Sequence, residues 1–168
     1  MSTNPIALLV SNDYIEIQAT LQAIKQCLTL SIMLEVLDED QTAGLPIPIP
    51  EMDGETLAKI MQWCEHHRGD SIPDPNEWRT ATASNQTQEI TKWDTEFLNI
   101  DRELLFKLTN GANYLEIPLL LQYAVLTVAL KLEDMSSKRM CEFLNVENDF
   151  TPEQELQTRK EYAWANQQ

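Results

Sequence analysis

The sequence predicts a chain of the α/β (α+β) class, with a small sheet near its start and a helical bundle after it. Three observations carry this. Two short strand-like runs, IALLV (Ile6 to Val10) and YIEIQ (Tyr14 to Gln18), flank the turn residues Ser11-Asn12-Asp13. LPIPIP (Leu45 to Pro50) places Ile47 and Ile49 between prolines that donate no hydrogen bond, so it reads as an edge strand or extended segment. Beyond it, apolar residues recur at helical spacing, and Leu119 to Leu132 is apolar nearly all round, which predicts a buried central helix.

The remaining elements follow in order. Leu21, Ile24, Leu28, Leu30, Met33, Leu34 and Leu37 give residues 20–38 helical spacing. Asp53 is the expected N-cap of the next helix, with Glu55 in its first turn, where negative charge suits the dipole. Leu57, Ile60, Met61 and Cys64 mark that helix's buried face, and it runs out at Gly69. Residues 70–92 have few apolar side chains and include TATASNQTQ, so they read as a mobile loop or linker, with Trp78 packing loosely on the surface and partner contact as its lesser reading. Trp93 to Asp101 forms a short helical turn ending in a new cap, Asp101, and helix 102–116 buries Leu105, Leu108, Ala112 and Leu115. Ile117-Pro118 breaks the helix and restarts it.

Two amphipathic helices close the chain. One starts at Ser136 or Ser137 and presents Met140, Cys141, Phe143 and Leu144. The other starts at Thr151-Pro152-Glu153-Gln154, an N-cap, a proline at the first helical position and a capping-box glutamine. Its body is polar except for Leu156, Tyr162, Trp164 and a few alanines. At ~25 cal/mol per Å2, burying one Trp and one Leu barely offsets the entropy of ordering such a tail. A partner is expected to finish it.

Composition narrows the function. The chain has 168 residues, 43% of them hydrophobic, enough for a folded core. Its net charge of -15 is spread along the chain, with no basic stretch for phosphates or an anionic membrane, so nucleic acid and membrane are excluded as partners. IALLV is too short for a signal-peptide core, and Pro118 to Leu132 too short to span a bilayer. Three cysteines, at 27, 64 and 141, are an odd count far apart, which argues against a disulfide framework and for a reduced, cytoplasmic or nuclear protein.

The stretch QWCEHHRGD (residues 62–70) holds a Cys and both histidines of the chain. A structural zinc site wants four ligands, and a cysteine nucleophile wants a histidine from elsewhere; neither is to be had here. Cys64 therefore reads as a buried helix residue, with His66 and His67 ending the helix. There is no Gly-rich phosphate loop, HExxH or GxSxG, so no enzyme, metal or cofactor is expected.

In order along the chain, IMQWCEHH, WDTEFLNID, LLFKLTNGANYLEIPLLL, TVALKL and LNVENDFTPEQELQTRKEYAW resemble the S-phase-kinase-associated (Skp) family, the adaptor subunits of SCF ubiquitin ligases. The resemblance runs from about Ile6 to Trp164. It implies a BTB/POZ-like domain over residues 6–132 that binds the N-terminal region of a cullin, and C-terminal helices over 133–168 that complete a surface for F-box proteins. Carried over by position, the cullin contacts are Asn113 and Tyr114, and the F-box contacts are Leu105, Val128, Leu144, Val146, Asn148 and Trp164. Core packing competes with the interface role for Leu105 and Val128.

Several positions depart from the family pattern. The early SxDG turn reads Ser11-Asn12-Asp13-Tyr14, without its glycine. Gly111 replaces an alanine one turn from the cullin contact, and Ser136-Ser137-Lys138-Arg139 replaces Thr-Pro-Glu-Glu. Glu147 stands where a Lys is frequent. These changes suggest a divergent paralogue. The alternative is a BTB-fold scaffold that binds F-box proteins, or pairs with itself as a homodimer when unpartnered, without a cullin and outside ubiquitin transfer.

Overall fold

The computed structural model describes residues 6–36, 45–73, 90–147 and 151–161. The segment around Trp78, the end of the predicted 20–38 helix, and the expected contacts Asn148 and Trp164 lie outside the described residues. Strand β1 (Ile6–Ser11) pairs antiparallel with β2 (Glu16–Thr20), with Ile6 opposite Thr20 and Val10 opposite Glu16. Strand β3 (Ile47–Ile49) joins the other side of β1 in parallel, Leu9 lying opposite Ile47, so the order is β2-β1-β3. Ile47 and Ile49 are buried and Pro48 is exposed at this edge, where its missing N–H leaves no ladder bond unmade.

Strand β2 begins two residues later than the alternation suggests, because the turn consumes Tyr14 and Ile15. Ser11 N donates to Ile15 O at 3.1 Å and Ile15 N donates back to Ser11 Oγ at 3.0 Å. Tyr14 is left at φ 63, in the left-handed region, with 86% of its surface exposed. A side chain there carries strain and gains no burial. Tyr14→Gly is therefore expected to stabilise the fold by about 1 kcal/mol, read as a higher urea midpoint at unchanged slope. The same turn is pinned to a helix start: Gly54 N donates to Asp13 Oδ1 at 2.8 Å, and a Cβ on Gly54 would come within 2.5 Å of Ile15.

The described residues hold eight helices: α1 (Leu21–Ile24), α2 (Leu28–Val36), α3 (Gly54–His66), α4 (Lys92–Phe97), α5 (Arg102–Tyr114), α6 (Pro118–Glu133), α7 (Ser137–Leu144) and α8 (Pro152–Glu161). The single helical stretch predicted from residue 20 is broken at residues 25–27. There the Gln26 side-chain amide donates to His67 O at 2.8 Å and Asp70 O at 3.1 Å, tying the break to the end of α3. Asp53 and Asp101 cap α3 and α5 through Thr56 N (2.8 Å) and Leu104 N (3.0 Å). Thr91, predicted to be loop, caps α4 through Asp94 N at 3.1 Å. The capping box at α8 forms in both directions, Thr151 N to Gln154 Oε1 at 2.9 Å and Gln154 N to Thr151 Oγ1 at 3.3 Å.

The chain forms two compact units, residues 1–129 and 130–168. The core belongs to the first, where Leu9, Ile60, Trp63, Leu108, Leu115 and Leu120 are fully buried. Helix α6 corrects the expectation of a helix buried along its length. Pro118, Leu119, Leu120, Tyr123 and Ala124 are buried, whereas Val125 is 51% and Leu130 56% exposed. In the second unit no described residue is fully buried. Ser136 holds the N-cap position of α7 without a capping bond, and Asn145 closes the helix at φ 55, a conformation asparagine accepts better than most residues. Among the described residues, no helix is long and apolar enough to cross a membrane.

Candidate protein-interaction site

The Cys-His stretch at the end of α3 is a packing centre. The His67 ring lies with Nδ1 2.9 Å from Asp70 Oδ2 and Nε2 3.1 Å from Asp94 Oδ1, so both nitrogens are spent on carboxylates. Asp94, fully buried, also accepts from Trp63 Nε1 at 2.8 Å and from Thr91 Oγ1 at 2.6 Å. Trp63 stacks on His67 with ring centroids 4.0 Å apart, and His66 stacks on Trp93 at 3.6 Å. This lattice fixes α4 against α3. It gives the histidines the helix-ending, structural role read from the sequence.

Cys27 and Cys64, far apart in sequence, meet in the core with Sγ atoms 3.7 Å apart as free thiols. Contact with Cys27 and burial push the Cys64 thiol well above its ordinary pKa. The Tyr123 phenol is also raised, by burial and by Asp94 and Asp70. In both cases the folded state keeps a proton that the unfolded state sheds first, so stability is full below the unfolded pKa and falls as pH rises above it. The melting temperature is expected to drop as pH climbs from about 8.5 toward 10.5, the range in which free thiols and phenols ionise. Iodoacetamide should label half-buried Cys141 quickly and the core pair slowly; fast labelling of Cys64 would contradict the structure.

The expected cullin contacts lie at the end of α5. Asn113 is exposed and Tyr114 is 42% exposed, while Ala112 and Leu115 on either side are buried. The turn after them is held firmly. Ile117 N donates to Ala112 O at 2.9 Å, Leu28 N to Glu116 O at 3.2 Å and Thr29 N to Leu115 O at 3.4 Å, with Glu116 left-handed at φ 51. The start of α2 thus caps the end of α5 and fixes the backbone that carries Tyr114. A large aromatic with a polar tip on a rigid turn makes a good anchor.

Beside Tyr114 lies a cleft of about 330 Å3, whose lining includes Glu51, Asp53, Thr56, Lys107 and Asn110. Lys107 Nζ is 3.1 Å from Asp53 Oδ2 and 3.4 Å from Glu103 Oε1. Gly111, another lining residue, packs closely against neighbouring side chains. A Cβ there would meet Ile60 Cδ1 at 2.6 Å and Met52 Sδ at 2.7 Å. The helix-propensity cost expected of a mid-helix glycine is thus offset by the packing that it permits.

The expected F-box contacts divide. Leu105, expected either to pack in the core or to meet the F-box, is fully buried in the core of the first unit. The reason is its place on the inward face of α5, in line with Leu108 and Ala112. Val128 is half-buried and packs against that core. In the second unit Leu144 is 40% and Val146 59% exposed. Leu156, which the sequence pattern placed in the unfinished tail but not among the contacts, is 53% exposed. Val125 and Leu130 are exposed on α6, where nearly uniform hydropathy predicts burial by the chain itself. Among the described residues, no three His, Cys, Asp or Glu side chains converge as a metal site.

A small mixed sheet, helices packed on it, an exposed tyrosine on a fixed turn and a separate C-terminal helical unit define a BTB/POZ-type domain with a helical extension. Family comparison is specific: residues 5–69 match the model described as "Skp1 family, tetramerisation domain" and residues 118–165 that described as "Skp1 family, dimerisation domain". Curated relatives include the E3 ubiquitin ligase complex SCF subunit sconC of Arthroderma benhamiae, 37% identical over 99% of this chain and 98% of the relative. The protein of the same name from Aspergillus terreus is 35% identical over 99% of this chain and 100% of the relative. The chain belongs to the Skp1 family.

Proposed function

We propose that the chain is a non-catalytic adaptor of an SCF-type ubiquitin ligase, bridging an F-box substrate receptor to a cullin. The observation that carries the reading is the extent of the likeness: both parts of the family pattern match on one chain, and relatives named SCF subunits align with it end to end. Asn113 and Tyr114 take the cullin N-terminal region. Val128, Leu144, Val146, Asn148 and Trp164 take the F-box, with residues 133–168 as the segment that it orders. The exposed apolar side chains of the second unit and the exposure of Tyr114 support this division, since each is surface that the isolated chain leaves uncovered.

Hydrogen exchange on the full chain, with each partner added separately, tests the reading. An F-box domain should protect the amides of α8, which exchange quickly without it, and a cullin N-terminal domain should protect the end of α5. Protection of α8 by the F-box with no effect of the cullin on α5 would favour the scaffold outside ubiquitin transfer. Equal protection of α8 with and without the F-box would contradict a partner-finished helix.

A further inference from the structure

Cys27 stands between two attachments. On one side of it the Gln26 amide is fastened to the end of α3, donating to His67 O and Asp70 O. On the other, Leu28 N donates to Glu116 O at 3.2 Å and Thr29 N to Leu115 O at 3.4 Å, the bonds that hold the turn carrying Tyr114. The Thr29 hydroxyl also reaches Tyr114 O, at 3.4 Å. Facing this junction in the core is Cys64 of α3, its Sγ 3.7 Å from that of Cys27. Both residues are 0% exposed, and both thiols are free. Two thiols in contact can do what one cannot, because each is the nearest nucleophile to whatever forms on the other's sulfur.

We propose that Cys27 and Cys64 form an oxidation site, closed to a disulfide by hydrogen peroxide, and that closure loosens the turn beneath Tyr114. A small, uncharged oxidant suits the site, since both sulfurs are fully buried and are reached only when the core opens locally. In the first step one sulfur, as thiolate, attacks a peroxide oxygen. The O–O bond breaks, a sulfenic acid forms, and the departing hydroxide takes up the thiol's proton as water. In the second step the other sulfur attacks the sulfenic sulfur, the S–O bond breaks, and the second thiol's proton leaves with that hydroxide as water. The pair loses two electrons, and one peroxide gains them. A sulfur already in contact outruns further oxidation, which needs another peroxide to enter. Bond formation draws the sulfurs about 1.6 Å closer than they lie in the reduced core. Helix α3 is held by its buried face of Leu57, Ile60 and Met61, so the movement falls on the short break at residues 25–27. The Leu28–Glu116 and Thr29–Leu115 bonds next to it are already long, and they yield first. The effect on cullin affinity rests on the adaptor reading; the disulfide does not.

The test uses the full chain with Cys141→Ser, which leaves the core pair as its only thiols. After hydrogen peroxide, the intact mass should fall by two hydrogens and neither thiol should alkylate on denaturation; dithiothreitol should restore both. In wild type the same bond is read as a linked pair of peptides. Amide exchange at Leu28 and Thr29, followed by NMR, should be at least about tenfold faster in oxidised than in reduced protein. Adding Cys27→Ala should abolish the effect of peroxide on those amides. A cullin N-terminal domain should bind the oxidised protein at least about fivefold more weakly than the reduced one. A pair that stays reduced, or a mass that rises by added oxygen, would overturn the proposal. Unchanged exchange at Leu28 and Thr29, or equal cullin affinity in the two states, would overturn the link to the turn and the proposal with it. Reduced protein that binds no cullin domain would instead overturn the adaptor reading, while the mass and exchange readouts, which involve no partner, still decide the disulfide.

Discussion

Asp94→Ala is expected to destabilise the first unit by about 3–5 kcal/mol, because it strips a buried charge from partners that have no substitute. Asp94 is 0% exposed and serves Trp63 Nε1, His67 Nε2 and Thr91 Oγ1 at 2.8, 3.1 and 2.6 Å. Without it a buried indole N–H and a buried imidazole nitrogen lose their acceptor. Thr91 also loses the side chain that steadies it as the cap of α4. Asp94→Asn should cost less, since one oxygen can still face Trp63 and the amide can donate to Thr91. Urea unfolding at constant slope measures both. A loss below about 1 kcal/mol for the alanine variant would mean that the lattice at the end of α3 is incidental.

Tyr114→Lys should cost at least about 30-fold in affinity for a cullin N-terminal domain, the scale of a central aromatic hot spot, and leave F-box binding unchanged. Tyr114 is 42% exposed, so the substitution removes no core contact, and melting should stay near wild type. The backbone beneath is held by Leu28, Thr29 and Ile117 whatever the side chain, which confines the effect to the contact itself. A comparable loss of F-box affinity would show that the two surfaces are not independent.

Local chemistry made much of this fold readable. Asp53, Asp101 and the Thr151–Gln154 box each act within four residues, and each caps the helix that it was expected to cap. The Ile-Pro alternation at 47–49 placed an edge strand for a reason internal to the segment. What escaped depended on distant neighbours. Cys27 and Cys64 touch because the break between α1 and α2 is fastened to the end of α3, through Gln26. Gly111 looked costly until Met52 and Ile60 were seen to fill the space beside it. Leu105 and Val125 show the same limit on the apolar faces of α5 and α6. An apolar residue on a helix announces burial, but not whether its own chain or a partner does the burying, and here the first is core and the second is open.

The divergent positions have different structural weight. Tyr14 strains a turn without altering either expected partner surface, and Gly111 is accommodated by repacking. Lys138 and Arg139, in the exposed first turn of α7, place two cations at the positive end of a helix whose Ser136 makes no capping bond. That end is weakened by roughly 0.3–1 kcal/mol per cation. They fall in the segment proposed to be ordered by the F-box, where a receptor with an acidic contact would relieve them.

Bridging is the central claim, and sedimentation velocity on a three-component mixture tests it most directly. An F-box protein and a cullin N-terminal domain should sediment separately when mixed alone. With this chain added they should move as one 1:1:1 species, which Tyr114→Lys reduces to a binary complex of chain and F-box protein. A wild-type chain that carries the F-box protein but leaves the cullin domain behind would contradict the account and make the protein a scaffold outside the ligase.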